Sequence, residues 1–160
     1  MSDSLECTLL PQSHSDNPDP SLGWVEAVHP VLVFLYRDIR STNSLTDQHL
    51  GTLLGVLGLA VVEETLDLLD NGFPVTYYVT PQGQGLYHVP SHRGRHFYTL
   101  LPRTGLCSCE AFTKTMTSGD SQQICKHLLL VYLQSALRKI TTQFITLSQY
   151  LNFLMNEWVI

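Results

Sequence analysis

Residues 107–112 read CSCEAF, and residues 124–139 read ICKHLLLVYLQSALRK. Together they hold Cys107-x-Cys109, fifteen intervening residues, then Cys125-x-His127 at the head of an apolar run. Three sulfurs and an imidazole so spaced form the donor set of a structural zinc site. Zn²⁺ takes four tetrahedral S/N ligands there, with sulfur about 2.3 Å and nitrogen about 2.0–2.1 Å away. A Cys-x-Cys pair leaving a strand presents both side chains on one face, because strand side chains alternate with a period of two. Cys-x-His obeys a different geometry, since side chains two residues apart in a helix diverge by about 200°. The pair serves one ion only where Cys125 opens the helix and His127 lies in its first turn. There the free amides and the helix dipole also favour the Cys125 thiolate. Three thiolates and Zn²⁺ leave one negative charge, which Lys114 and Lys126 are placed to offset in part.

Three other readings compete: buried free thiols beside a core histidine, a disulfide, and a catalytic zinc. A catalytic zinc keeps a coordination position open, and four protein ligands close it. The expectation is therefore one structural Zn²⁺ on Cys107, Cys109, Cys125 and His127, with no catalytic residues. The fourth cysteine, Cys7, reads as an incidental thiol.

Working outward, Lys126 to Lys139 reads as a helix with Leu129, Tyr132, Leu133, Ala136, Leu137 and Ile140 on its apolar face. Arg138 and Lys139 suit its C-terminal dipole. A last helix begins at Thr146 or Ser148, with Tyr150, Leu151, Leu154 and Trp158 on one side. On the other flank, Val75 to Val79, Leu86 to Val89 and His96 to Leu100 are aromatic and β-branched, separated by turn residues, and read as a three-stranded antiparallel meander. Further upstream come two helices, one through Thr46 to Gly58 and one over Leu59 to Leu69, stopping at Asn71-Gly72. Val25, Val28, Leu32, Leu35 and Ile39 give an earlier helical stripe, which either begins near Pro30 or kinks there. Gly51, Gly55 and Gly58 either permit close helix packing or weaken the helix. Residues 1–21, rich in Ser, Asp, Asn and Pro, read as a disordered lead-in. The fold class expected for residues 22–160 is a single α+β domain: N-terminal helices, a small antiparallel β-meander, the zinc site at about 96–140, then C-terminal helices.

With 160 residues, 44% of them apolar and 14% charged, the chain can bury a core. Its longest uncharged apolar stretch, residues 50–62, falls short of the roughly 20 residues that span a bilayer. No basic segment precedes an apolar run at the N-terminus, so a soluble intracellular protein is expected. The net charge of −5 argues against a free-standing nucleic-acid binder held by counterion release. Charge is uneven, however: residues 1–90 carry two basic and eleven acidic side chains, and residues 91–139 carry seven basic and two acidic ones. The basic half holds Arg93, Arg95, Arg103, Lys114, Lys126, Arg138 and Lys139.

The zinc pattern resembles the SWIM-type zinc finger, Cys-x-Cys, a variable spacer, then Cys-x-His. CSCEAF, an intervening polar loop and ICKHLLLVYLQSALRK are similar to the SWIM subunits of the Shu homologous-recombination complex, the SWS family. The likeness extends to ETLDLLDNG and the aromatic meander, over roughly residues 24–150. It carries the family's zinc ligands onto Cys107, Cys109, Cys125 and His127. The family motif commonly continues to an alanine three residues past the histidine, where this chain has Leu130. A larger side chain at a tight site typically costs about 1–3 kcal/mol unless a smaller one compensates. The resemblance implies a non-enzymatic nuclear subunit that pairs with a RecA-like recombinase paralogue. The pair would support strand-exchange filament assembly on single-stranded DNA, in recombinational DNA repair. The alternative is a SWIM module that binds nucleic acid directly through Arg93, Arg95, Arg103, Lys114, Arg138 and Lys139.

Other groupings carry less. His88, His92 and His96 recur every four residues, but Pro90 and Gly94 break any helix, leaving exposed strand and turn histidines. Glu63/Glu64 and Asp67/Asp70 read as a solvated helix face. There is no P-loop and no nucleophile elbow. The apolar C-terminus, residues 152–160, exceeds what one helix face buries, and part of it reads as a partner-docking surface.

Overall fold

The computed structural model describes residues 23–91, 93, 95–118 and 124–158. The lead-in, Cys7, His92 and the last two residues lie outside them. Helix α1, Trp24–Val28, ends at His29, and α2, Pro30–Thr42, begins with the proline at its first position. The backbone of His29 is extended, as a residue before proline prefers, and its Nδ1 accepts from the Val31 amide at 3.2 Å. Pro30 therefore starts a helix and does not kink one. Leu32, Leu35 and Ile39 are buried, as their spacing requires.

Helix α3, Asp47–Leu57, opens with a reciprocal cap: Thr46 Oγ1 accepts from the His49 amide, and His49 Nδ1 accepts from the Thr46 amide. Histidine here replaces the usual Glu or Gln of a capping box. A Cβ at Gly51 or Gly55 would meet nothing within 4 Å, so these glycines loosen the helix and do not permit close packing. Helix α4, Leu59–Asp70, buries Val62, Thr65 and Leu68. Leu66 and Leu69 are half-buried and pack against the same core. The acids Glu63, Glu64, Asp67 and Asp70 are exposed, as expected.

The α+β class stands, but the sheet is larger than the meander. Strands β1, Thr76–Val79, β2, Gly85–Pro90, and β3, Phe97–Leu101, pair antiparallel, and two short strands extend them. β4, Leu106–Cys107, pairs antiparallel with β3, placing Cys107 opposite Leu100. β5, Thr141–Phe144, pairs parallel with β1, giving the order β4-β3-β2-β1-β5. All four β5 residues are exposed, so no alternation of apolar and polar residues announces this strand.

The intervening polar loop contains a helix, α5, Glu110–Ser118. Helix α6, Lys126–Ala136, is the centre of the fold, with every residue after Lys126 buried. A helix apolar on all sides belongs in the interior. Leu130 is fully buried, so this chain's own core accommodates the side chain that replaces the family's alanine. The polar groups in the second half of α6 are paired. Tyr132 Oη donates to the Leu32 carbonyl at 2.7 Å, Tyr36 Oη and Ser135 Oγ share a 2.7 Å bond, and Gln134 Nε2 donates to the Phe73 carbonyl at 3.0 Å. Contrary to the expected end at Lys139, α6 stops at Ala136. Arg138 follows in the left-handed region at φ 58°, its amide bonded to the Ser135 carbonyl.

Helix α7, Leu147–Trp158, is capped by Thr146, whose Oγ1 accepts from the Gln149 amide at 3.1 Å. It lies on the sheet face opposite α6. Phe153 stacks on Tyr78 at 5.1 Å and meets His88 at 5.3 Å, while Tyr87, next to His88 and so on the other face, lies toward α6. His88 also stacks on Phe97 at 4.1 Å, so this histidine is half-buried, not exposed. His96 is exposed as expected. Leu151 faces outward with Leu147 and Met155, correcting its expected place on the inner side with Tyr150 and Leu154. No helix among the described residues is long and apolar enough to cross a membrane.

Candidate metal centre

Three elements deliver the four side chains. Cys107 ends β4, whose pairing with β3 anchors it. The chain then turns at Ser108, whose amide donates to the Thr99 carbonyl and whose Oγ accepts from the Thr99 amide. That turn brings Cys109 to the head of α5. Cys125 is the residue before α6, in an extended conformation, and His127 lies in the first turn, the placement that the Cys-x-His spacing demanded.

All four side chains are buried, and their donor atoms lie within 4.8 Å of one another. Cys107 Sγ is 3.8 Å from His127 Nδ1. Ligands about 2.0–2.3 Å from a tetrahedral centre are separated by roughly 3.5–3.8 Å, so the cluster has the right dimensions for one small ion. The Phe112 amide donates to Cys109 Sγ at 3.4 Å. Tyr98, on β3, packs its ring 4.4 Å from the His127 imidazole and so helps to hold its orientation. His127 Nε2 is buried with no hydrogen-bond partner among the described residues.

The electrostatics point the same way. Bonding from Cys107 and then Cys125 holds the Cys109 thiol far below its ordinary range, as a thiolate. Its bond to Cys109, followed by Cys125 and burial, drives Cys107 far above that range. Cys107 draws Cys125 down, but Cys109 and burial outweigh it, and Cys125 is pushed up to about 12. The cluster's own donors thus sustain one negative charge, and three buried thiolates together require a cation. Lys114 pairs with Glu110 at 2.9 Å and Lys126 with Glu64 at 3.4 Å, and Lys126 lines the same cavity as Cys109, Cys125 and His127. Soft sulfur donors, tetrahedral dimensions and a buried wall make the residues a fit for zinc. Bound there, a zinc ion would neutralise the thiolates and tie β4, α5 and α6 together.

Sequence reasoning named the four side chains that the fold brings into this cluster. It missed Tyr98, which the alternation along β3 could have flagged. It also missed Arg40, which only the fold brings near the basic half. Of the basic residues singled out in the sequence, Arg103, Arg138 and Lys139 line three cavities, the first two of which share Tyr77 as a wall.

A buried Cys₃His cluster between a strand end and a helix start, in an α+β fold, defines a zinc-finger type of protein. No family model matches the chain, and no solved structure matches it. Curated relatives do. The chain is 30% identical over 132 residues to zinc finger SWIM domain-containing protein 7 of Mus musculus, covering 82% of this chain and 85% of the relative. It is 31% identical over 113 residues to the protein of that name from Danio rerio, covering 71% and 79%. Against that of Homo sapiens it is 30% identical over 100 residues, covering 62% and 69%. The chain belongs to the SWIM-type zinc-finger family.

Proposed function

We propose that the chain is a non-enzymatic, zinc-binding subunit of a Shu-type complex. It pairs with a RecA-like recombinase paralogue and acts in the nucleus, supporting strand-exchange filament assembly on single-stranded DNA during recombinational repair. One Zn²⁺, held by Cys107, Cys109, Cys125 and His127, has a structural role in this reading. The observation that carries it is the closed, buried four-donor cluster at the head of the central helix, in a chain about 30% identical to SWIM-domain relatives. Four protein donors leave no vacant coordination position for a substrate. The uncharged outer stripe of α7, Leu147, Leu151 and Met155, supports a role in pairing, because contiguous exposed apolar side chains mark interaction sites.

The test is a pull-down of the full chain from native extract, with zinc quantified per chain. Co-recovery of a RecA-like protein and one zinc per chain is the expected result. Recovery without any such partner, or a metal-free folded chain, overturns the reading.

A further inference from the structure

A cavity of about 250 Å³ lies between the end of α6, the sheet and α2, far along α6 from the cysteines. Arg40 and Arg138 line it with Tyr77, Ser135 and Thr142. Arg40 Nη1 donates to Tyr36 Oη and to the Ser135 carbonyl, both at 3.2 Å, so one nitrogen already satisfies the end of α6. Its remaining donors, and the whole Arg138 guanidinium, have no carboxylate partner among the described residues. Two guanidinium groups on one small cavity, with no carboxylate paired to either among the described residues, supply the charge and the donors that an anion requires.

The backbone supplies a second observation. Arg138 occupies the left-handed position after a helix, where glycine is the ordinary residue and a larger one is strained. The chain keeps an arginine there, and its side chain lines the cavity. The partial negative charge at the α6 C-terminus opposes an anion, but Arg40 already meets the Ser135 carbonyl and Arg138 adds a full positive charge.

Size and surroundings select the ligand. At about 250 Å³ the cavity is below the usual range for whole small molecules and suits a single phosphate group. Tyr77 is also a wall of a neighbouring cleft of about 530 Å³, lined by Gln82, Gln84, Arg103 and Tyr150. Aromatic rings and amides beside a cationic notch are what a nucleobase and its phosphate require together. We propose that Arg40 and Arg138 hold a backbone phosphate of a single-stranded nucleic acid, with a base in the cleft beyond Tyr77. The inference deepens the nucleic-acid part of the function above and is independent of the pairing with a recombinase paralogue.

The experiment titrates the full, zinc-loaded chain with fluorescent oligo(dT) over a range of salt concentrations, comparing the wild type with Arg138→Gly and with Arg37→Ala. Arg37→Ala removes the same charge from an exposed site outside both cavities. Arg138→Gly relieves the backbone strain, so it is expected to melt no lower than the wild type while binding about tenfold more weakly. The slope of log K against log salt is expected to flatten by about 0.7, one phosphate contact on a single strand. Arg37→Ala is expected to change both far less. Equal losses in the two variants, or none in Arg138→Gly, overturn the site while leaving a nucleic-acid role standing. Absence of oligo(dT) binding by the wild type, or selective binding of a phosphopeptide in its place, also overturns it.

Discussion

His49 on α3 holds Asp38 on α2: Nε2 lies 2.6 Å from Oδ2, while Nδ1 accepts from the Thr46 amide at 3.0 Å. Because Nδ1 accepts, the neutral ring carries its proton on Nε2 and donates to the carboxylate. One imidazole thus caps its own helix and links two helices across the turn between them. His49→Ala removes both functions and is expected to cost about 1–2 kcal/mol, read by urea denaturation. His49→Gln restores the reciprocal cap but not the link, and is expected to recover part of the loss.

Tyr132 and Leu32 form a second tie, between α6 and α2. Burial pushes the Tyr132 phenol above its ordinary range, so it stays protonated and donates to the Leu32 carbonyl. Tyr132→Phe keeps the ring and loses the bond, with an expected destabilisation of about 1 kcal/mol and an unchanged denaturant slope. No change in midpoint would show that the bond contributes nothing.

The metal cluster predicts a larger effect. Structural zinc contributes apparent free energies of about 10–16 kcal/mol in small domains at pH 7. Cys125→Ser and His127→Ala are both expected to lower the melting temperature sharply and abolish stoichiometric zinc. Excess chelator is expected to move the wild type to the same transition. A wild-type melting curve from either variant would contradict a structural metal.

His88 sets a pH dependence. Burial lowers its pKa in the folded chain, so below about pH 6.5 the unfolded chain binds more protons at this site. Its contribution is therefore intact above that pH and lost as the pH falls toward the folded value. His88→Phe keeps an aromatic ring between Phe97 and Phe153. The variant is expected to lose less stability than the wild type between pH 7.5 and 5.5. Parallel pH profiles for the two proteins would refute the assignment.

Helix α7 offers a contrast on one element. Phe153→Ala removes a ring stacked on Tyr78 and is expected to cost about 2–3 kcal/mol. Leu151→Gln changes an exposed side chain and is expected to stay within about 0.5 kcal/mol. Thermal melts of both variants check this, and a large loss in Leu151→Gln would reverse the assignment of faces.

The sequence by itself determined the α+β class, the four cluster residues, and where Cys125 and His127 must sit on α6. Helical period, strand period and ligand spacing are local constraints, readable along the chain. It could not yield β5, because exposed TTQF carries no hydrophobic pattern, whereas α5 was legible but overlooked, since Phe112 and Met116 fall at helical spacing within the polar EAFTKTMTS. The parallel pairing of β5 with β1, the burial of α6 on every side and the meeting of Arg40 with Arg138 were decided only by tertiary structure. Each brings together residues some 30 to 100 positions apart in the chain, which no short-range pattern encodes.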